Sequence, residues 1–351
     1  METVAERFIF EYEKEPIEMN FVELLNSFYQ NQDTAIVKLP IKTTENKTEL
    51  VAELTKRIFE NFYNNPYFKE ELSLVLLKKS YLEPLYTLTK QCLNKQLFDP
   101  NNEQMLNNVV ARQIFVLHFS KCNFKSKHFL MFLKSFNSIS IICNIENIFG
   151  FDVKQFCQSL LTNENLKKIL HNTIRLVTNK ECRYDCAKTE LVFFTTTDLN
   201  GVNGYAGNNT IYLSHTSLLQ FYYVTKQNVT VFKLNLLRLV QHEICHVALR
   251  HQFCNLNLST PEFKETINSN FATGKNYCLE AGLIGECLLF AGRIDLSCPN
   301  LNMAYCQKFL QDFLQGAYSP FDPTKANAKI IDKPCFEMAI DFSPEDEIEF
   351  M

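Results

Sequence analysis

Tryptophan is absent from this 351-residue chain, and glycine (9) and proline (11) are scarce. So little Gly and Pro excludes a collagen-like, elastomeric or linker-rich protein. There is no stretch of about 18 uncharged apolar residues, so no membrane-spanning segment is expected. An excess of either charge is also missing. The 35 Lys+Arg against 39 Asp+Glu leave a net charge of −4, which gives no electrostatic reason to expect nucleic acid as a partner. Residues 1–14 carry Glu2, Glu6, Glu11 and Glu13, so they do not read as a signal peptide. The thirteen cysteines are odd in number and scattered, without the regular spacing of a disulfide scaffold. These features lead us to expect a soluble, cytoplasmic protein with mostly reduced thiols, long enough to bury a sizeable core.

The first part of the chain, residues 1–160, reads as helices joined by Asn-rich turns. In residues 50–64, Leu50, Val51, Leu54, Ile58, Phe59 and Phe62 recur at spacings of three and four, a helical stripe. Residues 68–79, 81–93, 106–119, 127–136 and Val153–Leu161 behave alike, whereas the short β-branched run 139–143 is ambiguous. No catalytic constellation stands out in this part. Cys182 and Cys186 make a Cys-x3-Cys pair, but no second pair follows to complete a zinc site. From about residue 161 to 351 the pattern changes. A last helical stripe over 163–177 is followed by residues 189–197 (TELVFFTTT), which predict a strand. The turn-rich stretch 198–209 holds Gly201, Gly204 and Gly207, and Thr210–Ser214 (TIYLS) predicts a second short strand. Residues 231–251 then form an uninterrupted helical stretch. The expected fold is therefore α+β and mainly helical, with a helical N-terminal domain (1–160) and a C-terminal domain (161–351) carrying a small sheet and an acidic tail.

Inside that helical stretch lies His242-Glu243-Ile244-Cys245-His246, an HExxH pattern. Residues four apart on a helix stand one above the other on one face, so His242 and His246 can offer two imidazole nitrogens to a single Zn2+ about 2.0–2.1 Å away. Glu243 falls beside the metal, where it can take a proton from the water the metal activates. Cys245, between the histidines, reads as a small core residue. Downstream, residues 277–293 (YCLEAGLIGECLLFAGR) form an apolar helical stretch with two acids, Glu280 and Glu286. A carboxylate buried in such a stretch is costly unless a cation or donor meets it. Ala281, Gly282 and Gly285 are small enough to let this helix approach another closely.

The order of glycine-rich turn, short strand, helix and HExxH resembles the zincin metallopeptidases, over residues 160–295. The resemblance implies an edge strand above the active-site helix, here expected at 207–214, with the substrate peptide held along it as an added strand. The metzincin pattern fails, because Leu249 and Gln252 stand where it needs Gly and His. The two acids of 277–293 are similar instead to a gluzincin, in which a glutamate on a second helix completes the zinc coordination. Glu280 is the favoured third ligand, with Glu286 orienting a histidine, or the two roles are exchanged. The resemblance implies zinc as cofactor, Glu243 as general base in peptide hydrolysis and a Tyr or His as an oxyanion donor, with Tyr277, Tyr305, Tyr318 and His215 as candidates. Two rival readings remain: a zinc hydrolase with a non-peptide substrate, and a non-catalytic zincin-fold scaffold whose zinc site is structural or vestigial.

Overall fold

A computed structural model describes residues 4–14, 50, 51, 53, 54, 57, 58, 61, 86, 90, 103–119, 138–142, 145, 148–196, 203–254, 281–317 and 319–331. The described residues form a mixed α+β protein in which helix predominates, and none of their helices is long and apolar enough to cross a membrane. The chain divides into two compact units, Met1–Ile141 with Thr196–Leu199, and Ile142–Thr195 with Asn200–Met351. The second unit thus begins before Val153–Leu161 and includes that helix. The stripes expected over 68–79 and 127–136, most of 81–93, and the acidic end 341–349 lie outside the described residues.

In the first unit, α1 (Val4–Lys14) carries Glu13, which accepts hydrogen bonds from the Tyr86 hydroxyl at 2.9 Å and Lys90 Nζ at 2.5 Å. The second helix, α2 (Glu103–Phe119), buries Leu106, Val109, Val110, Ile114, Phe115 and Leu117. The run that was ambiguous in sequence is a strand, β1 (Ser140–Ile142). Its local backbone is held by α2: Asn108 Oδ1 accepts from the Ile141 amide at 2.6 Å, and Arg112 Nε donates to the Ile139 carbonyl at 2.8 Å.

The second unit is built from capped helices around one long central helix. Two of them, α3 (Val153–Leu161) and α4 (Glu164–Thr178), start at Asp152 and Asn163, whose side chains accept from the first-turn amides. At the far end of α4, Asn179 adopts a left-handed conformation (φ 54°), a standard helix stop. Then come β2 (Glu190–Thr195), β3 (Gly204–Ala206) and β4 (Thr210–Ser214). The pairing of β2 with β4 is parallel, from Glu190↔Thr210 to Phe194↔Ser214, and that of β3 with β4 is antiparallel, Tyr205 facing Tyr212.

The expected edge at 207–214 is therefore corrected. Thr210–Ser214 is an interior strand with all five residues buried, and the edge is Gly204–Ala206. The physical reason is pairing: β4 is hydrogen-bonded to β2 on one side and to β3 on the other, and burial cannot reveal this because β3 is buried throughout as well.

Ser214 caps α5 (His215–Val224), and Asn228 caps α6 (Val229–Phe253) by accepting from the Val231 amide at 3.1 Å. Apolar residues bury α6 around most of its circumference, Phe232, Leu236, Leu239, Val240, Ile244 and Val247 among them. Near its start Phe232 stacks on Phe149, with ring centroids 4.6 Å apart. Around α6 are packed α3, α4, β3 and β4, and from further along the chain α7 (Ala281–Phe290) and α8 (Met303–Leu314). The small pair β5 (Ile294–Asp295) and β6 (Lys329–Ile330) and the turn α9 (Pro323–Ala326) complete the described part of the unit. Because the α6 cap satisfies an otherwise open first-turn amide, Asn228→Ala should lower stability by about 1 kcal/mol. In urea melts this would show as a lower midpoint with an unchanged slope.

Candidate active site

Four polar residues of α6 recur at a spacing of four: Arg238, His242, His246 and Arg250. They form one slowly winding stripe. The His242 and His246 rings lie 5.2 Å apart between centroids, tilted by 59°. His242 and Glu243 are buried and His246 is half-buried. Two partners meet this stripe from different sides of the fold.

The first is α7, and it comes unusually close. A Cβ added to Gly282 would lie 2.6 Å from three ring atoms of His242, and one added to Gly285 would lie 2.8 Å from Cys245 Sγ. Only glycine allows this approach. It brings Glu286 to His242, whose Nδ1 lies 2.8 Å from Glu286 Oε1. Glu286 also meets Arg238, whose Nη1 lies 3.3 Å and 3.5 Å from the two carboxylate oxygens. Arg238 is itself held by Asn235 Oδ1, which accepts from Nε at 3.3 Å and from Nη2 at 3.0 Å. Burial pushes the Glu286 carboxyl up, but the Arg238 charge, the His242 hydrogen bond and Arg293 outweigh it and hold the group below the usual carboxylate range. An ionised carboxylate has only acceptors, so Nδ1 of His242 is the donor in this contact. Metal-ligating histidines usually have such a carboxylate partner.

The second partner is the edge strand β3. A Cβ on Gly204 would lie 3.3 Å from Glu243 Oε1 and 2.8 Å from the Tyr212 carbonyl, so the strand's bare backbone passes beside the Glu243 carboxylate. Two residues further along β3, the Ala206 carbonyl accepts a hydrogen bond from Nη1 of the buried Arg250.

The remaining sequence candidates fall elsewhere. Glu280, Tyr277 and Tyr318 lie outside the described residues. The Tyr305 hydroxyl accepts from the Asp322 amide at 2.7 Å, and His215 packs edge-on against Phe149 at 6.0 Å. Cys245 is fully buried, accepts from Gln241 Nε2 at 3.2 Å, and has its thiol pushed far up by burial. It is a core thiol. Burial likewise raises Cys182, and pushes Cys186 up to about 12. Among the described residues no group of three His, Cys, Asp or Glu side chains is placed to hold a metal ion. What they do supply is two imidazoles one helical turn apart, one of them oriented by a buried carboxylate, and this donor set fits two of the ligands of a zinc ion.

Sequence reasoning missed Arg238 and Arg250. The available signal was their spacing of four from the histidines on a helix otherwise apolar there. No family model matches the chain, and neither a curated protein nor a solved structure matches it.

Proposed function

We propose that α6, α7 and β3 build the centre of a zinc-dependent metallopeptidase of the zincin type, gluzincin-like in taking its third ligand from the sequence segment 277–293. The observation that carries this reading is the buried Glu286 carboxylate on Nδ1 of the first HExxH histidine. A histidine packed merely as core has no need of an ionised partner contributed by another helix, whereas a metal-ligating one characteristically has it. Glu286 is engaged by His242 and Arg238 together, which supports the orienting role for it and leaves Glu280 as the third ligand.

When bound, zinc would supply Lewis acidity and lower the pKa of water. The chain's own residues do the rest. His242 and His246 would hold the ion through their ring nitrogens. Glu243 accepts a proton from the attacking water and passes it to the departing amine. The three residues of β3 are buried and the Ala206 carbonyl is taken by Arg250, so a peptide or protein substrate is proposed on the zincin resemblance and not on an open strand edge.

Metal analysis tests the reading. Purified protein should contain close to one zinc per chain, lost in His242→Ala and in His246→Ala. Glu280→Ala should weaken binding more than Glu286→Ala, because loss of an orienting group typically costs about 10–100-fold in affinity. A larger effect at Glu286 would exchange the two glutamates. Unchanged zinc content in both histidine variants would end the proposal.

A further inference from the structure

We infer that Arg238 is a positioning residue of the site: it holds the Glu286 carboxylate against Nδ1 of His242, and so decides which ring nitrogen the histidine presents. Four side chains form a continuous chain, Asn235 to Arg238 to Glu286 to His242, with contacts of 3.0–3.5 Å along it and 2.8 Å at its end. Three of the four come from α6 itself, and only Glu286 comes from α7. The helix that bears the histidine therefore also bears the group that fixes the histidine's orienter.

The geometry suits this role. Arg238 lies one turn before His242 on the same stripe, so its guanidinium and the imidazole meet at the same carboxylate, both on Oε1. Nη1 addresses both oxygens at nearly equal distance, which restrains rotation of the carboxylate about its own axis. The opposite edge of the guanidinium, Nε and Nη2, is taken up by Asn235 Oδ1, so the cation is not free to swing toward solvent. Glu286 is almost wholly buried, and the Arg238 side chain retains only 17% of its exposure. A planar fork held at both edges is a task for arginine, which lysine's single ammonium cannot reproduce.

The part of the inference that concerns metal affinity rests on the zinc reading, whereas the part that concerns the imidazole does not. The test separates them. In metal-free protein labelled with 15N at histidine, NMR at about pH 8 should show His242 as the Nδ1–H tautomer. Arg238→Met should give a mixture of tautomers, and Arg238→Lys should restore the bias only in part. Zinc affinity, measured by competition with a chromophoric chelator, should fall about 10–100-fold in Arg238→Met, with a smaller loss in Arg238→Lys. Arg238→Met leaves a buried carboxylate without its cation and can fail to fold. The double variant Arg238→Met/Glu286→Gln removes both charges, and should bind zinc no worse than Glu286→Gln alone, because the arginine acts only through the glutamate. A role confined to stability would lower the melting temperature without moving the tautomer. An unchanged tautomer and unchanged zinc affinity in Arg238→Met, or a double variant much weaker than Glu286→Gln, would overturn the inference. A wild-type protein that binds no zinc yet shows the locked tautomer, lost in Arg238→Met, would instead uphold the positioning role and overturn the zinc reading.

Discussion

On the proposed mechanism, Glu243→Gln is expected to keep its fold, its zinc and its affinity for peptide while losing turnover by about 10²–10⁴-fold, the usual contribution of a general base. The amide has the shape of the carboxylate but cannot accept the proton from the attacking water. The substitution is demanding because Glu243 is buried, with the β3 backbone beside it at Gly204. Any change of volume at this position would confound chemistry with packing, and glutamine changes none. Turnover would be followed on unstructured protein or a peptide library at high enzyme concentration, with a chelator control. Thermal melting and metal content would be read on the same samples. Cleavage that survives in Glu243→Gln would refute the mechanism. A wild type that cleaves nothing and holds zinc by four protein ligands would favour the scaffold reading.

Gly282→Ala should destabilise the protein by about 1–3 kcal/mol, the usual range for overpacking a filled core, and should deplete its zinc. In an ordinary helix the same change would stabilise by roughly 0.5–1 kcal/mol, so even the sign of the effect is informative. The new methyl group would stand 2.6 Å from Cδ2, Cε1 and Nδ1 of His242, on a ring whose Nδ1 is tied to Glu286. Either the ring turns off the carboxylate or α7 moves away, and both disturb the proposed ligand. Gly285→Ala is the matching comparison. Its methyl group would meet Cys245 Sγ at 2.8 Å and Gln241 Nε2 at 3.0 Å, so it should cost stability while leaving the metal in place. Denaturant melts and metal content on the pair check this. A Gly282→Ala protein as stable as wild type and fully metallated would show that α7 has slack the structure does not contain.

How much of this was legible in the sequence differs from residue to residue. The HExxH helix was, because a spacing of four has one geometric meaning on a helix and the flanking apolar residues leave no other element for it. The helix extends two residues beyond the expected 231–251 at each end, to Val229 and Phe253, where Asn228 and Cys254 act as caps. The strand Thr210–Ser214 was legible as well, but its place in the sheet was not. Three residues, Gly204–Ala206, are too few to show alternation, and the glycines beside them read as turn. Their function as a strand comes from pairing with β4, which is tertiary information. The two glutamates of 277–293 were interchangeable in sequence. Among the described residues Glu286 contacts His242, and that contact depends on how α7 seats against α6 at two glycines. Arg238 and Arg250 are ordinary helix formers taken singly, and their meaning appears only with the partners they reach.

Those two arginines also govern how α6 can move. They stand twelve residues apart, roughly 18 Å along the axis at 1.5 Å per residue, and each is fastened to a different neighbour, Arg238 to α7 through Glu286 and Arg250 to β3 through the Ala206 carbonyl. A helix packed only by apolar contacts can roll about its own axis. With a radius of about 5–6 Å including side chains, a roll of about 10° would carry the tip of a histidine about 1 Å, a misplacement large enough to cost an enzyme about 10²-fold in rate. Fastened near both ends of the stripe, α6 is held against that rotation like a shaft keyed at two points, with the two imidazoles between the keys.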